Sequence, residues 1–180
     1  MGNKSADAYD IGVGLGFASF QSSVGQQDLA WAALESAQPS VHSLVVTYHL
    51  LDQNLLDSIY GPNPTALAHL VQVRQDVETN LRDHSNDAAN AYRLGLLVAL
   101  AEGQSTSGDW LASYALAHDA LQQANSLIQG YLKNVPFDNN LMTKSLYYTN
   151  SPQRAPGDAH SFISMMRISY REQVLLSNLP

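Results

Sequence analysis

"YDIGVGLGFASFQSSVG" (Tyr9–Gly25) and "YRLGLLVALAEGQSTSG" (Tyr92–Gly108) lie over one another without a gap, 83 positions apart. Tyr9/Tyr92, Gly12/Gly95, Ala18/Ala101, Gln21/Gln104, Ser22/Ser105 and Gly25/Gly108 are identical. Unrelated columns of average composition would share roughly one residue over such a length. Ile11/Leu94, Val13/Leu96 and Phe17/Leu100 also keep their apolar character. The agreement predicts that one helical unit occurs twice in tandem.

Reading outward, Ala30, Leu34, Ala37, Val41, Leu44 and Val45 meet Ala117, Leu121, Ala124, Ile128, Tyr131 and Leu132, now 87 apart. Steps of three and four residues are the seam of an amphipathic helix. "LDQNLLDSIYGPNP" (Leu51–Pro64) is then answered by "PFDNNLMTKSLYYTNSP" (Pro136–Pro152). Asp52/Asp138, Asn54/Asn140, Leu55/Leu141, Tyr60/Tyr148 and Pro64/Pro152 are the matching residues. Beyond this point His69 sets over His160, with poor agreement around it.

Apolar residues recur at three and four throughout, and no alternating Val/Ile/Thr run argues for strands. The expected fold is all-α: two tandemly duplicated four-helix halves, about 5–85 and 86–178, packed as a single domain over 1–180. The first half should hold helices over Ser5–Ser22, Gln26–Tyr48, Asp52–Ile59 and Pro64–Asp83. The second should hold Asn86–Glu102, Asp109–Lys133, Asp138–Tyr147 and Asp158–Ser177. Pro39 should kink or break the second helix, because it removes a backbone donor. Asn63-Pro64 reads as a helix start, and Gly25 and Gly108 as left-handed helix ends.

Composition narrows the function classes. Only 14% of residues are charged, the formal net charge is -7, and Lys is confined to Lys4, Lys133 and Lys144. Nucleic-acid affinity comes largely from cations neutralising phosphates; with no basic run, no nucleic-acid partner is expected. No segment reaches the ~20 apolar residues that span a bilayer. With no cysteine, disulfides and thiolate sites are excluded. Scarce Lys with abundant Ser, Asn and Gln is a bacterial, exported flavour of composition, and exported and cytoplasmic locations both remain open.

Asp52/Asp138 and Asn54/Asn140 are read as structural caps of a short helix rather than ligand groups. Gln21/Gln104 and Ser22/Ser105 close the first helix of each half. Gly12/Gly95 and Gly16/Ala99 put small residues on one face, as a closely approaching neighbour requires; this places the two first helices at the centre. The six histidines (His42, His49, His69, His84, His118, His160) form no metal-binding helical motif, so no metal and no cofactor are expected. No nucleophile elbow or acid–base pair stands out, and no catalytic residue is assigned. The first functional expectation is therefore a non-enzymatic protein-binding, scaffold or oligomerisation module, with a protein partner or a second copy of itself. The alternative is a small-molecule-binding protein or enzyme with a pocket between the halves. Its polar lining would be Gln21, Gln104, His69, His160, Tyr60 and Tyr148.

Overall fold

Glycines on two helices decide the architecture. In the computed structural model, which describes residues 3–107, 112–113, 115–120, 122 and 156–176, helix α1 runs Lys4–Ser23 and α5 runs Asn86–Ser107. Both are buried over most of their circumference, and they pack against each other. A Cβ on Gly12 would strike the Tyr92 carbonyl and lie 2.8 Å from the Leu96 nitrogen. A Cβ on Gly95 would strike the Tyr9 carbonyl and lie 3.1 Å from the Val13 nitrogen. Each glycine thus admits the backbone turn that carries the other's tyrosine. At Gly16 an added Cβ would stand 2.7 Å from the Ala99 Cβ.

Around this pair lie α2 (Gln27–His42), α3 (Gln53–Tyr60), α4 (Leu70–His84) and α6 (Pro156–Leu176). Residues 112–113, 115–120 and 122 are also helical. The described residues contain helix and no strand, so the chain is all-α, and none of its described helices is long and apolar enough to cross a membrane. Helix α4 buries Leu70, Val73, Val77 and Leu81; α6 buries Ile163, Met166, Tyr170 and Val174. The two sets are 93 positions apart throughout. The expected superposition of His69 on His160 puts these seams out of phase by two residues, which is why the flanking sequence agreed poorly.

Two fully buried tyrosines fasten the outer helices to the inner ones. Tyr9 on α1 donates its hydroxyl to the Arg167 carbonyl on α6 at 2.6 Å. Tyr92 on α5 donates to the Arg74 carbonyl on α4 at 2.9 Å. Burial pushes both hydroxyls well above the ordinary phenol range, since an ionised oxygen there would lose its hydration. Ion pairs repeat the crossed pattern with reversed signs. Arg171 on α6 grips Asp10 on α1 through Nε and Nη2, at 2.7 and 2.9 Å. Arg93 on α5 meets Glu78 on α4 at 3.6 Å. Exposed pairs of this kind contribute about 1 kcal/mol at most; their interest is positional.

Local signals worked where backbone geometry dominates. Gly25 has φ +79; its N–H bonds the Ser22 carbonyl and that of Gln26 bonds the Gln21 carbonyl, closing α1 in a Schellman turn. The closure uses backbone carbonyls of Gln21 and Ser22 rather than their side chains. Of the kink or break expected at Pro39, the break does not occur: helix α2 continues through it to His42. Glu35, whose carbonyl loses its donor, faces solvent together with Pro39, so water can take the free acceptor. The irregularity comes one turn later, as a π-helical segment over Ser43–Thr47 that keeps Leu44 and Val45 buried. His49, with φ 56, then reverses the chain.

Asp52 does stand at the N-cap of α3, yet its side chain makes no capping bond. Its backbone carbonyl accepts from the Leu55 N–H at 3.1 Å instead, and Asn54 offers only its carbonyl, to Ser58 Oγ at 3.1 Å. The structural-cap assignment is therefore corrected for both side chains, which are exposed. Pro64 lies just outside a helix rather than in its first turn: a 3₁₀ turn over Ala66–His69 leads into α4. Asp138, Asn140, Tyr148 and Gly108 lie outside the described residues, as do the expected helix over Asp138–Tyr147 and most of Asp109–Lys133.

Candidate functional site

Where α1, the 3₁₀ turn with the start of α4, and the end of α5 meet, they leave an open cleft of about 650 Å³. That is within the range of small-molecule sites. Phe20, Leu67, Leu70, Val71 and Leu100 supply apolar wall. Ser19, Ser22, Ser23, His69, Gln72, Arg74 and Gln104 supply the polar groups. The described lining contains no carboxylate, in a chain whose acidic residues outnumber Lys and Arg by 16 to 9.

The elements explain why these side chains converge. Phe20 sits beside Gly103 of α5; a Cβ there would stand 2.5 Å from the Phe20 Cγ. The ring is thereby packed closely against α5 where it lines the cleft. The Schellman turn ends α1 directly after Ser22 and Ser23, so the serines rim the cleft. The 3₁₀ turn delivers His69 from one side, and Gln104 comes from the last turn of α5 on the other.

Two of the anticipated lining residues, His69 and Gln104, are brought together here. The others are not. Gln21 is half-buried on α1 but does not line the cleft. Tyr60 donates its hydroxyl to the Leu34 carbonyl of α2, and its ring lies 6.4 Å from that of Trp31. Burial raises its pKa as well; it is a packing residue between α2 and α3. His160 is engaged elsewhere, with Nδ1 2.7 Å from the Oγ of buried Ser105. Ser105 Oγ also donates to the Glu102 carbonyl at 2.6 Å. This serine is a tie between α5 and α6, with no access for a substrate. Among the described residues, no three His, Asp or Glu side chains gather as a metal site would require.

Sequence reasoning passed over Arg74. Among the described residues its one side-chain hydrogen bond is to Ser19 Oγ, at 3.5 Å, and its Nε is buried without a partner. Arg167, 93 positions later on α6, is held far better. Its Nε donates to Glu102 Oε2 at 2.6 Å, and its guanidinium lies 5.6 Å from the Phe17 ring centre, within cation–π range. The missed signal was the apolar seam of α4 and α6: in its register the two arginines coincide.

No protein-family model, curated protein or solved structure matches the chain.

Proposed function

We propose that the chain is a binding module made of two related helical halves, about 5–85 and 86–178, which holds a small molecule in the cleft between them. The observation that carries the ligand reading is the meeting of His69, from the first half, with Gln104, from the second, over an apolar floor of Phe20, Leu67 and Leu100. A concave space in which apolar surface lies beside convergent polar groups is what a small-molecule site requires, and this cleft offers both.

Support for two related halves comes from contacts that recur in crossed pairs. Gly12 with the Tyr92 turn answers Gly95 with the Tyr9 turn; Tyr9 with α6 answers Tyr92 with α4. Equivalent substitutions should then have equivalent effects. Tyr9→Phe and Tyr92→Phe each remove one buried hydroxyl bond and should each cost about 1 kcal/mol in urea unfolding. A clear loss at one site and none at the other would speak against related halves.

The scaffold reading has less to draw on. Val24, Leu29, Val46, Val71, Met165 and Ile168 are the exposed large apolar side chains among the described residues. They sit on several different elements, and single exposed apolar residues are ordinary on protein surfaces.

The ligand reading is tested with 1-octanol as a neutral apolar probe, followed by NMR of the full chain. Shifts should centre on Leu67, His69, Leu100 and Gln104. Leu67→Trp, which fills the cleft from its wall, should weaken the probe about tenfold or more. Shifts centred on another surface, or an affinity indifferent to the tryptophan, would refute a ligand cleft here.

A further inference from the structure

The cleft is one of two matching places in the molecule, and only its counterpart is filled. At a separation of 83, Ser19 corresponds to Glu102, Leu100 to Phe17 and Ser22 to Ser105; at 93, Arg74 corresponds to Arg167. In the filled place, Glu102 takes the arginine's Nε, Phe17 covers its guanidinium, and His160 closes on Ser105. In the open place all three of those fixtures are changed. Serine stands where the carboxylate was, leucine (Leu100) stands where the aromatic ring was, and Leu67, 93 positions before His160, stands where the histidine was.

Arginine is always charged and carries five donors. Leaving such a group half-buried, with one long bond among the described residues, is costly, and the cost is removed by an oxyanion arriving from the cleft. The filled place shows which anion the geometry suits, because there a single carboxylate takes the Nε of the corresponding arginine. Ser19 carries a hydroxyl where glutamate carries a carboxymethyl group, so it leaves room for an incoming carboxylate beside Arg74. No acidic side chain of the described lining competes with it.

We propose that the cleft binds a small carboxylate-bearing molecule with an apolar body, the carboxylate replacing at Arg74 the counter-ion that Glu102 provides at Arg167. The apolar body would lie along Phe20, Leu67 and Leu100, with Gln104 and His69 at the rim. This inference rests on the ligand reading of the same cleft, and the experiment separates the two.

The probes are octanoate and 1-octanol, titrated by NMR into wild type, Ser19→Glu and Arg74→Gln. Ser19→Glu rebuilds the filled arrangement and should leave the protein folded, with a melting temperature at or above that of wild type. Octanoate should bind wild type in the cleft and weaken about tenfold or more in both variants, while 1-octanol should bind all three alike. If octanoate binds all three equally, Arg74 does not read a carboxylate and the inference is overturned, although the apolar cleft survives. If neither probe binds wild type in the cleft, the ligand reading falls and takes this one with it. Should Ser19→Glu not fold, the Arg74→Gln comparison alone decides the matter in the same terms.

Discussion

Gly12→Ala and Gly95→Ala should each cost about 3 kcal/mol or more, a large share of the roughly 5–15 kcal/mol that holds an ordinary domain folded. The added methyl would meet the Tyr92 or Tyr9 carbonyl, with Leu96 N or Val13 N just behind it at 2.8 and 3.1 Å. These are backbone atoms, so no side-chain rotation relieves the clash. The helices would have to move apart, and every contact along the α1–α5 seam would loosen with them. Alanine has the better helix propensity, by up to ~1 kcal/mol, but that gain is smaller than the overpacking cost. Gly25→Ala is the internal comparison. Nothing lies within 4 Å of its would-be Cβ, and the cost is only the left-handed backbone, about 1–2 kcal/mol. Urea unfolding followed by circular dichroism measures all three. If either seam substitution costs no more than Gly25→Ala, the helices are not held at backbone contact.

Glu102→Ala should be the most damaging loss of a charged side chain, at about 2–3 kcal/mol. Glu102 is 8% exposed, and its carboxylate holds Arg167 at 2.6 Å. Removing it leaves the guanidinium against Phe17 with its Nε donor unmet. The attraction of the pair is largely offset by desolvating both groups, so most of this loss is the cost of stranding the survivor. Glu102→Leu combined with Arg167→Met should therefore recover most of it. Asp10→Ala, which breaks the exposed pair with Arg171, should cost about 1 kcal/mol or less. Equal losses for Glu102→Ala and Asp10→Ala would show that burial adds nothing to the inner pair.

Much of the candidate site was out of reach of a linear reading for one identifiable reason. Setting His69 over His160 matches residues whose side chains do different jobs: one is exposed at a cleft and the other is bonded to Ser105. Arg74 and Arg167 coincide only when Leu70, Val73, Val77 and Leu81 are set on Ile163, Met166, Tyr170 and Val174. Whether a ring such as that of Tyr60 faces a ligand or a helix depends on what packs behind it, here the Leu34 carbonyl and Trp31. Asp52 stands at the N-cap of α3 without a capping bond from its side chain, since a cap residue's place follows from the chain but its rotamer follows from its surroundings.

By itself the sequence determined the all-helical class, the end of α1 at Gly25, and the need for close approach at Gly12 and Gly95. Each of these is a property of a few neighbouring residues: a period of three and four, a missing Cβ, a left-handed φ. Only the tertiary structure decided that Arg167 meets a carboxylate while Arg74 meets a serine and an open cleft. A charge's partner is chosen by which distant helices are brought together, and at those distances along the chain local propensity carries no information.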